Sequence, residues 1–184
     1  MVRKRKIIFY GAISADGFIA RPDGSVDWLE RRRPKGNYGM GAFYQSIDTI
    51  LLGRKTYDVA LAFQKKGVVR SAFDTNVKNY VFTRSLPSSA APAAVEFVNE
   101  PVRAFATHLR EKNGKDIWMM GGGGIIASFL DAGEIDEFMI QVIPKFIGEG
   151  IPLIAPARRT VALKLVSCTK FPDGVVKLHY AVGK

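Results

Sequence analysis

Residues 116–130 read Asp-Ile-Trp-Met-Met-Gly-Gly-Gly-Gly-Ile-Ile-Ala-Ser-Phe-Leu. Ile117 to Met120 form a short apolar run with no helical polar face. Four glycines follow, and apolar residues then resume at helical spacing with Ile125, Ile126, Phe129 and Leu130. A strand, a tight turn and a helix satisfy that pattern. Glycines at the end of a buried strand let backbone approach a ligand closely. The helix behind them presents unpaired N–H groups and the positive end of its dipole, a setting for phosphate. Glycine in such a turn also serves close packing of strand on helix, and the stretch alone allows both roles.

Two further strand ends repeat the arrangement. Thr49 to Gly53 is an apolar strand, and Arg54-Lys55-Thr56 opens a helix running to about Phe63. A glycine, two cations and a hydroxyl thus meet a helix N-terminus, which reads as a second anion site or as a surface helix start whose charges are solvated. It is not a Walker A loop, because Arg54 separates Gly53 from Lys55 and the upstream glycine is missing. Asn79 to Thr83 is a third strand, ending in Thr83-Arg84-Ser85.

The rest of the chain fills in around these junctions. Ile7 to Ile13 is β-rich and apolar, a central strand, and Asp16-Gly17 and Pro22-Asp23-Gly24 mark turns after it. Ser25 to Glu30 reads as a short capped helical turn, Arg31 to Gly39 as a polar excursion, and Met40 to Ser46 as a helix with Phe43 and Ile47 inward. Leu86 to Ala94 is a loop and Val95 to Val98 a strand. Pro101 opens a helix whose inward stripe is Val102, Phe105, Ala106 and Leu109, leaving His108 on the surface. Ile135 to Ile143 is a strand closed by Pro144, and Gly148 to Pro152 is a loop. Val161 to Phe171 and Val175 to Val182 flank Asp173-Gly174 as an antiparallel hairpin. His179 in its second strand has no acid nearby in sequence and reads as structural. The sum is one α/β domain over 184 residues, with a mixed, mostly parallel sheet, helices on both faces and a C-terminal antiparallel hairpin. Its anion sites would collect along one sheet edge.

Composition narrows the function classes. One cysteine, Cys168, excludes an internal disulfide, and two histidines leave no zinc constellation. No apolar run reaches the roughly 20 residues of a membrane span. The basic start, Arg3 to Lys6, precedes a run interrupted early by Asp16, so it reads as a first core strand and not as a secretory signal. A cytoplasmic setting follows. The net charge of +10 gathers at Arg3 to Lys6 and Arg31 to Lys35, but no nucleic-acid-binding motif accompanies it. Three anion sites on one edge match the charges of NADPH, two bridging phosphates and one on the adenosine ribose, for which arginine's fork is suited. Gly122, Gly124 and Ala127 also satisfy the Rossmann pattern G-x-G-x-x-A. That fold wants an acid at the next strand end, and Gln141-Val142-Ile143-Pro144 offers none.

In order and spacing, Ala12, Asp16 with Ile19-Ala20, Gly53-Arg54-Lys55-Thr56, Thr83-Arg84 and Met120-Gly121-Gly122-Gly123 resemble the dihydrofolate reductase fold. Residues 14–20, Leu52 to Tyr57, and Ile143-Pro144 with Gly148 to Leu153 more closely resemble the reductase domain of bacterial riboflavin biosynthesis and its stand-alone relatives. The resemblance implies that Ala12, Ile19 and Ala20 border the nicotinamide. Gly53, Arg54, Lys55 and Thr56 would hold phosphates, and Thr83, Arg84 and Ser85 would meet the adenosine-ribose phosphate. Gly121, Gly122, Gly123, Gly124 and Ile125 would meet the pyrophosphate and nicotinamide ends, with a strained Gly121-Gly122 peptide. Asp16, Trp28, Tyr44 and Gln141 would contact substrate. It also implies a homodimer. Dihydrofolate reductases carry a carboxylate early in the helix before the Gly-Arg strand, and residues 31–47 contain no Asp or Glu, which argues against dihydrofolate as substrate. The zinc deaminase motifs often fused to the riboflavin-pathway reductase are also missing. The expectation is an NADPH-dependent reductase passing a hydride to a small carbonyl, imine or ring-open sugar, such as a 5-amino-6-(5-phosphoribosylamino)uracil-type pyrimidine. The alternative is a non-catalytic nucleotide- or nucleic-acid-binding module on the same fold.

Overall fold

The computed structural model describes residues 4–30, 37–67, 73–88 and 91–183. Arg3 and the basic cluster at 31–35 lie outside them. The chain begins with β1 (Ile7–Ser14), β2 (Phe18–Ala20), a 3-10 turn at Asp27–Leu29 and a second at Asn37–Gly39 running into α1 (Met40–Gln45). It continues through β3 (Ile47–Gly53), α2 (Arg54–Lys65), β4 (Lys78–Phe82), β5 (Val95–Val98), α3 (Val102–Glu111), β6 (Asp116–Gly121) and α4 (Gly123–Asp131). β7 (Glu137–Ile143), β8 (Ile151–Pro152), β9 (Leu163–Lys170) and β10 (Val176–Val182) complete it.

Eight strands form one sheet in the order β5-β4-β3-β6-β1-β7-β10-β9. The first six run parallel, and β10 pairs antiparallel with both β7 and β9. β1 lies in the middle because Ile7, Ile8, Phe9 and Tyr10 are apolar on both faces and all buried, as a parallel central strand requires. Alternate residues feed two cores. Ile7, Phe9, Leu51, Ile117 and Met119 pack on Phe105 and Leu109 of α3 and on Ile126 and Phe129 of α4. Ile8, Tyr10, Ile50, Leu52 and Val81 pack on Phe43 of α1 and Tyr57 of α2. The carboxyl ends of all six parallel strands therefore open on one edge.

Three local expectations are corrected. Asp27–Leu29 is a 3-10 turn entered through Val26 with no side-chain cap, because Asp23 accepts from the Ser25 amide at 2.9 Å and Asp27 binds Arg21 at 2.6 and 3.0 Å. Within the predicted loop, Ile151–Pro152 forms a two-residue strand against β2. His179 does have an acid partner: β10 lies beside β7, and Glu137 Oε2 sits 2.9 Å from His179 Nε2 while its Oε1 accepts from Lys6 Nζ at 2.5 Å. Burial pushes the Glu137 carboxyl up, and the bonds and charges of Lys6 and His179 outweigh it, leaving a net lowering.

Candidate functional site

A cleft of about 1290 Å³ opens at the carboxyl ends of the parallel strands. Pockets for single small ligands usually run from about 300 to 1,000 Å³, so this one has room for a longer guest. Its middle is formed by two helix starts. Gly53 and Gly122 cap α2 and α4, and neither helix receives a side-chain cap, which leaves the first-turn N–H groups unclaimed by side chains. A Cβ added to Gly122 would lie 3.3 Å from Thr56 Oγ1 and 3.6 Å from Ile19 Cδ1, and one on Gly53 would lie 3.5 Å from Ile125 Cγ2. The two starts are thus in mutual contact. Arg54 folds back onto its own helix, donating from Nε to Asp58 at 2.9 Å and stacking over Tyr57 and Phe97. Lys55 is exposed and makes no ion pair among the described residues.

The glycines divide the two roles that the sequence left together. A Cβ on Gly123 would sit 2.5 Å from the Pro152 carbonyl oxygen, and the Gly123 carbonyl accepts from Ala155 N at 3.0 Å, so this position serves packing. Gly124 has nothing within 4 Å of an added Cβ and lines the cleft, so it keeps space open. Gly121 belongs to β6 and does not line the cleft. Its φ is +117° and the Gly121–Gly122 peptide is cis.

At the β4–β5 end the cleft is lined by Thr83, Arg84, Asn99 and Glu100. The Thr83 hydroxyl donates to the Ser85 carbonyl at 2.9 Å, and Ser85 itself does not line the cleft. Arg84 has no hydrogen-bond or ion-pair partner among the described residues. Glu100 supplies the sole carboxylate among the described lining residues.

At the β1–β7 end the walls are Ala12, Ile19, Ala20, Trp118 and Met120, with Tyr10, Tyr38 and Gln141 as polar groups. Tyr10 Oη donates to the Tyr38 carbonyl at 3.0 Å, and Lys177 Nζ donates to the same oxygen at 3.0 Å. Burial raises the Tyr10 phenol, and a hydrogen bond from the Gln141 amide pulls the other way. Asn37, Tyr38 and Gly39 have φ of 45°, 59° and 91°. Such a conformation costs a non-glycine residue roughly 1–3 kcal/mol. Tyr38 is held in it by the two donors on its carbonyl and by its own hydroxyl, which donates to Asp173 at 2.5 Å.

Of the four residues expected to contact substrate, Gln141 alone lines the cleft. Asp16 accepts from the amides of Ile147 and Gly148 at 3.0 and 2.8 Å and so anchors the loop leading to β8. The Ser14 hydroxyl first, and then these amides, hold its carboxyl below the usual range. Trp28 is 2% exposed and packs with Tyr38, Ile143 and Val175 behind the cleft wall. The Tyr44 hydroxyl donates to Asp74 at 3.1 Å, and burial with that neighbour pushes its pKa up to about 12. The sequence reading missed Tyr10, Tyr38, Trp118 and Glu100. Tyr10 was accessible to it, since it lies two residues before Ala12 on the same face of β1.

The described residues contain no group of His, Cys, Asp and Glu that could hold a metal, and no helix among them is long and apolar enough to cross a membrane. The chain is similar to the uncharacterized protein YwjB of Bacillus subtilis strain 168, with 40% identity over 96% of this chain and 98% of that one. A Shewanella sp. PV-4 protein provisionally assigned to riboflavin biosynthesis shares the fold, at a TM-score of 0.83 and 23% identity over 98% of this chain and 99% of that one. So does the dihydrofolate reductase of Enterococcus faecalis, solved with NADP(H), at a TM-score of 0.65 and 16% identity over 100% of both chains. The family profile of the RibD C-terminal domain matches residues 5–177, and the chain belongs to that family.

Proposed function

We propose that this chain is an NADPH-dependent oxidoreductase that passes a hydride to a small carbonyl, imine or ring-opened sugar, of the type found in a 5-amino-6-(5-phosphoribosylamino)uracil-like pyrimidine. The observation that carries the reading is the meeting of two helix starts without side-chain caps at one cleft, with Gly124 leaving its cradle open and, beyond it, Arg84 without a partner among the described residues. NADPH, when bound, supplies the hydride. The residues present fit it. Amides at the starts of α2 and α4, with Lys55 and Thr56, hold the pyrophosphate, and Arg84 binds the ribose phosphate. Ala12, Ile19 and Ala20 border the reacting ring. Trp118 and Met120 exclude water, and the Gln141 amide, held against the Tyr10 hydroxyl, positions the acceptor group by hydrogen bonding, so that catalysis is mainly alignment. Dihydrofolate reduction does not fit, because no carboxylate lines the β1–β7 end among the described residues and residues 31–36 contain none.

Two further proposals accompany it. Cys168 is exposed and free, which suits a reducing cytoplasm. β9 is exposed along its whole length, with Leu163, Leu165 and Val166 at 45, 53 and 54%, and the homodimer implied by the family resemblance would cover this edge. The function is tested by following NADPH absorbance with a panel of aldehydes, ketones, cyclic imines and ribosylaminopyrimidines. Acceptor-dependent oxidation, lost when Gly124 is enlarged, is the expected result. Tight NADPH binding with no oxidation by any class would favour a binding module.

A further inference from the structure

The β4–β5 end of the cleft carries a charge that the reading above leaves without a role. β4 and β5 run parallel with Phe82 beside Val98, and Thr83 N donates to Val98 O at 2.9 Å. Arg84 and Glu100 each stand two residues beyond that last pair. They therefore leave neighbouring strands at the same height on the same edge, and both line the cleft. Neither has a hydrogen-bond or ion-pair partner among the described residues, although opposite charges so placed could close on one another. The other charged groups lining the cleft are Arg54, engaged with Asp58, and Lys55 at the start of α2.

The adenosine ribose of a nicotinamide dinucleotide offers a hydroxyl or a phosphate at its 2′ position. A carboxylate accepts a hydrogen bond from the hydroxyl and repels the phosphate, whereas arginine binds the phosphate through its fork. We propose that Glu100 is a specificity-determining residue that works against Arg84, giving the site useful affinity for NADH and narrowing the preference for NADPH that Arg84 creates. The proposal rests on the dinucleotide reading of the cleft. Glu100 is exposed and outside any strand or helix, so its replacement leaves the core untouched.

The test is a set of fluorescence titrations of the wild type, Glu100→Gln and Glu100→Asp with NADPH and NADH, at low and high salt, with thermal melting as the check on folding. Glu100→Gln should tighten NADPH roughly three- to tenfold and weaken NADH about threefold. The gain for NADPH should shrink at high salt, where the charge is screened, and Glu100→Asp should keep a ratio close to wild type. If Glu100→Gln changes both affinities equally, or neither, Glu100 is not a discriminator and the dinucleotide reading survives. If the folded wild type binds neither dinucleotide, that reading fails and this proposal falls with it.

Discussion

Arg84 and Asp16 show how differently two charged residues near one cleft can act. Arg84 lines the cleft with no partner among the described residues. Losing a charge-assisted bond to a phosphate costs about 1.5–3 kcal/mol, so Arg84→Ala should weaken NADPH by about 10- to 100-fold and NADH by less than about threefold. Equal losses in parallel titrations would contradict the assignment. Asp16 holds the amides of Ile147 and Gly148 outside the cleft. Its folded pKa is depressed, so its stabilising effect is present above the ordinary aspartate value of about 3.9 and is lost as pH falls through the lower folded value. Thermal melts should separate wild type from Asp16→Asn at pH 7, with the gap narrowing from about pH 3.9 downward and closing once the pH has passed the lower folded value. A gap that persists in acid would mean that the ionised carboxylate is not what matters. Gln141 was named because the family resemblance brings the end of its strand near the nicotinamide, and it lines the cleft. The sequence could not identify the environment of Asp16, Trp28 or Tyr44, because side chains leaving loops and short helices have no periodicity that fixes their direction. The Asp16 partners also lie more than a hundred residues away.

Among the elements, the start of α4 makes the sharpest test, since adjacent glycines have opposite surroundings. Gly123→Ala would drive a methyl into the Pro152 carbonyl and should lower stability by roughly 1–3 kcal/mol, read by chemical denaturation. Gly124→Ala meets no atom within 4 Å and improves helix propensity, so stability should hold or rise. Its methyl would enter the cradle, and NADPH affinity should fall about tenfold, equivalent to about 1.4 kcal/mol. A destabilised Gly124→Ala protein, or one that binds NADPH as the wild type does, would contradict this division. The strands and helices were legible because periodicity, glycine and helix-start residues agree along the chain, and the three strand ends read as anion sites line one cleft at Gly53, Arg84 and Gly122. The pairing of β2 with β8 was not, because a two-residue strand has no pattern to read.

At the scale of the whole molecule, sheet order turns separate junctions into one site. β3, β4 and β6 stand together on one side of β1, so Gly53, Arg84 and the 121–124 turn reach the same edge. Alternation in the C-terminal runs predicted the β9–β10 hairpin but gave no sign that β9 would be exposed on both faces. If a second copy covers that edge, Leu165→Glu should reduce the mass seen by light scattering from dimer to monomer, and an unchanged dimer would move the contact elsewhere. The central claim is that the cleft binds NADPH, and the most direct measurement is a parallel titration of the purified protein with NADPH and NADH, following the fluorescence of Trp118, which is among the residues lining the cleft. The account predicts saturable binding that favours NADPH and loses most of its signal in Trp118→Phe. A folded protein showing no saturable response to either dinucleotide would contradict it.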